Sequence, residues 1–154
     1  MSEMDFERYF TLEEAQSLLP VVESLLKRTL EAKRLAEEME EKLESLGRKV
    51  FLSGGMFLDI ERVRRNRAAY EAQMQKAKDS LAEIDAIGVQ VKDLDTGLLD
   101  FPCTVEGQTV LLCWKMGESS IGFWHTLDGG FRGRQPVDDR FTKKQEKNKP
   151  ERPN

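Results

Sequence analysis

Apolar positions recur at intervals of three and four through the first half of the chain and then begin to alternate, with the change at Gly88. One stripe runs Val22, Leu25, Thr29, Ala32, Ala36, Met39, Leu43 and Leu46 and ends at Gly47. A second runs Ile60, Val63, Arg67, Tyr70, Met74, Ala77, Leu81 and Ile84 and ends at Gly88. Such spacing keeps one face of an α-helix apolar. Joined around Ser53-Gly54-Gly55, the two stripes predict a long antiparallel helical hairpin resembling a coiled coil. Upstream, Thr11 and Glu14 have capping-box spacing, and Phe10 and Ala15 are placed to form a hydrophobic staple. Pro20 predicts that a short helix over 11–19 kinks or restarts there.

Beyond Gly88, alternation and frequent glycine predict strands near 89–92, 98–105, 109–115 and 121–127. Short consecutive strands with tight turns make an antiparallel meander of about four strands, covered on one face by a helix. A two-residue turn at Glu106-Gly107 sets Val105 opposite Gln108, Cys103 opposite Val110 and Asp100 opposite Cys113. A four-residue turn at Met116–Ser119 sets Trp114 opposite Ile121, Leu112 opposite Phe123 and Val110 opposite His125. This register puts Asp100 and His125 on opposite faces, so they form no acid–base pair. It puts Cys103 on the His125 face but two strands away, and it separates the cysteines. A bulge at Pro102 would reverse everything before it. The fold class is α+β, with a helical part over 1–87, a β region over 88–137, and a polar tail over 138–154 that should lack structure.

Composition sharpens this picture. The 154 residues are 39% hydrophobic and 34% charged, with a net charge of −4. The high charged share fits long solvated helices, and the net charge speaks against whole-surface attraction to nucleic acid or anionic lipid. No apolar run has the length of a membrane span, and the acidic start MSEMDFERYF is unlike a secretion signal. Two cysteines in such a chain point to a reducing compartment and a soluble cytoplasmic protein.

Charge is unevenly distributed along the hairpin. From Arg48 to Arg67 there are six basic residues (Arg48, Lys49, Arg62, Arg64, Arg65, Arg67) and two acids (Asp59, Glu61). From Glu31 to Glu44 there are six glutamates and three basic residues. A basic tip flanked by apolar residues such as Phe51 and Phe57 makes Arg62, Arg64, Arg65, Phe51 and Phe57 the candidates for contact with a protein or RNA partner. The competing reading is an ordinary solvated helix face. The alanine-containing seams also leave room for a homodimer through the helices.

The rarer side chains cluster between Gly97 and Val137, where the only histidine, both tryptophans and both cysteines lie. Glu118, His125, Arg132 and Arg134 are the candidates for an anion- or ligand-binding site, because glycines at 129, 130 and 133 let backbone amides converge beside two arginines. The simplest rival has Arg134 pairing with Asp100 or Glu118 to lock the turn. No zinc site is expected, since there is no Cys-x-x-Cys and no second histidine. The one mononuclear arrangement on offer sets His125 beside carboxylates such as Glu118 or Asp128. No catalytic residue and no cofactor is indicated. The leading expectation is a non-enzymatic binding or adaptor module working through its helical arm. The alternatives are a small enzyme or ligand-binding domain on the β region and a self-assembling helical protein.

The runs GLLDFP (97–102), LLCW (111–114), GE (117–118), FWH (123–125) and GGFRGRQP (129–136), after a Thr-Leu-Glu-Glu-Ala helix start, resemble an uncharacterised bacterial family, domain of unknown function twenty-two-zero-three. The resemblance covers about residues 9–137. It implies that Asp100, Trp114, Glu118, Trp124, His125 and Arg134 belong to one recognisable pattern. It brings no activity and no catalytic residues.

Overall fold

The structure is a computed structural model that describes residues 6–52, 54 and 60–142. Two long helices, α1 (Leu12–Leu52) and α2 (Ile60–Ile87), form a hairpin. They precede strands β1 (Gln90–Asp93), β2 (Leu98–Val105), β3 (Gln108–Lys115), β4 (Phe123–His125) and β5 (Gln135–Pro136), and a short helix α3 (Asp139–Thr142). The fold is α+β, with five strands in sequence order, every neighbour antiparallel.

The expected capping box starts α1. Thr11 Oγ1 accepts from Glu14 N at 3.0 Å, and Glu14 Oε1 accepts from Thr11 N at 3.1 Å, satisfying two donors at the helix start. Pro20 does not divide this helix, contrary to expectation. Its ring is exposed, and the buried residues on either side, Leu19 and Val22, anchor both turns, so one lost backbone bond is tolerated. Gly47 does not stop it either, and α1 continues to Leu52. Gly88 ends α2 as expected, at φ +102°, a conformation that glycine adopts without strain.

The chain divides into two compact units, Lys27–Ala82 and the remainder, Met1–Leu26 with Glu83–Asn154. In the hairpin unit the buried positions are Thr29, Ala32 and Ala36 of α1 and Ala77 and Ser80 of α2. Small side chains fill the seam. Arg67, expected in the apolar stripe, is exposed, and Asn66 takes the partly buried position beside it.

The other unit is built on the sheet. Residues Leu99–Val105 of β2 and Val110–Trp114 of β3 are buried throughout, so both faces of the central hairpin are covered. Phe10 packs edge-on against Phe101, with centroids 5.5 Å apart. Gln16 of α1 clasps the Ile121 backbone, donating to its carbonyl at 3.2 Å and accepting from its N–H at 3.0 Å. Pro102 needs no bulge. The β2–β3 register runs unbroken from Leu98 to Val105, and the Pro102 carbonyl accepts from Phe10 N at 2.7 Å on the side where β1 has ended. The start of the segment expected to lack structure is ordered as α3, because Phe141 is buried against Trp124, with centroids 5.7 Å apart. Among the described residues no helix is long and apolar enough to cross a membrane.

Candidate functional site

The β2–β3 register matches the one predicted from Glu106-Gly107, a turn whose two residues both have positive φ, 52° and 77°. Asp100 therefore sits directly opposite Cys113, and the two cysteines lie on opposite faces. The next pairing departs from expectation. β4 begins only at Phe123, and Cys113 pairs with Phe123, Leu112 with Trp124 and Leu111 with His125. The expected Val110–His125 pairing is thus off by one residue. A one-residue slip moves every side chain of a strand to the other face.

The one-residue shift has chemical consequences. His125 leaves the Cys103 face and joins Asp100 and Cys113. His125 Nε2 lies 3.0 Å from Asp100 Oδ1, and His125 Nδ1 lies 2.7 Å from the Thr126 carbonyl. The ligating atoms of Asp100, Cys113 and His125 all fall within 4.8 Å of one another, and all three side chains are buried. The pair that the sequence register excluded is the centre of the sheet's polar chemistry.

Both ring nitrogens of His125 face oxygen acceptors, so only the doubly protonated ring satisfies both. Burial by itself disfavours that cation, but the ring's hydrogen bonds to Asp100, Cys113 and the Thr126 carbonyl, with the Asp100 charge, outweigh it. His125 is pushed up from 6.5 to about 10. An imidazolium held between two acceptors is a poor general base near neutral pH.

Two of the remaining sequence candidates, Glu118 and Arg134, form a separate pair. Arg134 Nη2 donates to Glu118 Oε1 and Oε2, both at 2.7 Å, and its guanidinium lies over the Phe123 and Phe131 rings at 4.1 and 4.7 Å. Glu118 Oε1 also accepts from Lys115 N at 2.7 Å, and the Glu118 carbonyl accepts from Trp114 Nε1 at 3.0 Å. The two side chains neutralise each other and tie the loop after β3 to the turn before β5. Arg132 stands exposed on that turn. Glu118 and Arg134 thus meet, while His125 is engaged with Asp100.

At the end of the hairpin, Phe51 and Leu52 are 82% and 81% exposed and Ile60 is 58% exposed. Arg48, Arg62, Arg64 and Arg65 are exposed around them, Arg64 in a 3.2 Å pair with Glu61. An open groove of about 530 Å³ runs along the end of α1, lined by Glu44, Gly47, Arg48, Phe51 and Leu52. Phe57, the other aromatic candidate, lies outside the described residues.

These features define a class: an α+β protein that joins a helical hairpin with an exposed basic and apolar end to an antiparallel sheet carrying a buried Asp–Cys–His cluster. The chain belongs to the family described as "Uncharacterized conserved protein (DUF2203)", whose model matches residues 8–137. That span includes both helices and all five strands. No curated protein and no solved structure matches the chain.

Proposed function

We propose that this protein is a cytoplasmic binding module whose helical hairpin docks a protein partner through the basic, apolar end of α1 and α2. The observation that carries this reading is the exposure of Phe51, Leu52 and Ile60 together within a net-basic stretch of a net-acidic chain. Large apolar side chains exposed to water are costly unless a partner covers them. Two of the three are aliphatic, so they offer an RNA base no stacking surface. They suit an apolar patch on a protein, and the arginines suit an acidic rim around it. The two buried free thiols fit a reducing compartment.

Capture of partners from lysate, comparing the wild type with Arg62→Glu/Arg64→Glu/Arg65→Glu, tests this reading. A protein captured by the wild type at low salt, weakened as salt rises and lost from the variant, is the expected result. Equal capture by both would remove the tip as the binding surface, and RNase-sensitive capture would replace the protein partner with RNA. Sedimentation of the purified chain adds a control. A dimer that the triple substitution dissociates would make the partner a second copy.

A further inference from the structure

We propose that Asp100, Cys113 and His125 are the ligands of a buried transition-metal site of the zinc class. The site is independent of the hairpin reading above. The donors come from three adjacent strands, β2, β3 and β4, and lie on one face of the sheet. Their ligating atoms are within 4.8 Å of one another. Around a tetrahedral Zn²⁺, with bonds of about 2.0–2.3 Å, ligand atoms stand roughly 3.3–3.6 Å apart. The 3.0 Å separation of His125 Nε2 from Asp100 Oδ1 needs to open by a few tenths of an ångström, and the wider gaps need to close by about an ångström, within reach of small side-chain rotations.

Three further features fit an ion better than a bare polar cluster. The Thr126 carbonyl at 2.7 Å from Nδ1 holds the imidazole ring in place and keeps a proton on that nitrogen, so Nε2 can ligate once the ion displaces its proton and its hydrogen bond to Asp100. A dication facing one carboxylate, one thiolate and a neutral imidazole gives a buried group with no net charge. Gln90 stands opposite Asp100 in the β1–β2 register, on the same face, and its buried Oε1 has no hydrogen-bond partner. An unpartnered amide oxygen on that face is a further candidate donor. A thiolate beside an imidazole selects Zn²⁺ or Co²⁺ over Mg²⁺ and Ca²⁺, which prefer all-oxygen sites. The ion would cross-link three strands through their side chains.

Co²⁺ serves as the probe, titrated into full-length protein stripped of metal by chelator. The expected result is saturation at one ion per chain, with a near-ultraviolet thiolate-to-Co²⁺ charge-transfer band and the intense visible absorption of tetrahedral Co²⁺, both lost on adding Zn²⁺. Cys103→Ser, on the opposite face, keeps the band, and Cys113→Ser abolishes it. Should Cys113→Ser fail to fold, the wild type and Cys103→Ser decide the matter. A folded wild type whose Co²⁺ spectrum is that of the hydrated ion overturns the proposal, as does a band that disappears in Cys103→Ser.

Discussion

His125 has its two ring nitrogens committed to Asp100 and to the Thr126 carbonyl, and both commitments favour the charged ring. Its ionisation is therefore coupled to stability. An unfolded histidine titrates near 6.5 and the folded one near 10, so the stabilisation is complete below about 6.5 and is lost as the pH rises through about 10. For metal-free protein, denaturation midpoints should fall steadily from neutral pH to about pH 10, and the His125 ring resonances should titrate only at that upper end. Asp100→Asn removes the carboxylate and leaves the imidazole buried, a change that costs roughly 3–5 kcal/mol at neutral pH. Denaturant melts of this variant should also show a much flatter pH dependence. A His125 titration near 6.5 in the wild type would contradict the pairing. Glu118 makes a second set of residue-scale ties. Glu118→Ala strips Arg134 and the Lys115 N–H of their acceptor in a partly buried setting, so a loss of ~1–3 kcal/mol is expected in the same melts.

At the scale of elements, the fold was legible wherever local chemistry sets the geometry. The Thr11–Glu14 box fixes the start of α1, and Thr11→Ala should destabilise the protein by about 1 kcal/mol in thermal melts. Glu106-Gly107 fixes the β2–β3 register over its whole length. Gly97 is a further such point: at φ +70° its carbonyl accepts from Met116 N, and an added Cβ would stand 2.6 Å from Met116 Cβ. Gly97→Ala should cost ~1–3 kcal/mol and shift the amide resonances around Met116. The entry to β4 was not legible. The loop from Met116 to Gly122 is not a tight turn, and its course depends on contacts distant in sequence: Gln16 holding Ile121, and Arg134 holding Glu118. Local pattern gives no parity for such a loop. Sequence pattern therefore pairs Asp100 with Cys113 but sets His125 on the opposite face from them. Pro20 misleads for the related reason that the buried turns on either side of it outweigh a single unfavourable residue.

At the scale of the molecule, the two units bury very different surfaces. The sheet unit encloses Phe10, Phe101, Leu112 and Trp114, whereas the hairpin unit is sealed largely by alanine, threonine and serine. Apolar burial supplies most of a fold's stability, so the hairpin unit should be the first to open. Hydrogen exchange should show backbone amides of Lys27–Ala82 exchanging well before those of β2 and β3, and equal protection in the two would contradict this. A weakly sealed arm with an exposed apolar end suits a segment completed by a partner. The most direct test is a photo-crosslinking amino acid placed at Phe51, or at Glu38 in the acidic stem, in living cells. A protein adduct is expected from position 51, absent from position 38 and lost when Arg62, Arg64 and Arg65 are reversed to glutamate. Adducts from position 38 alone, or none from position 51 in a folded protein, would contradict it.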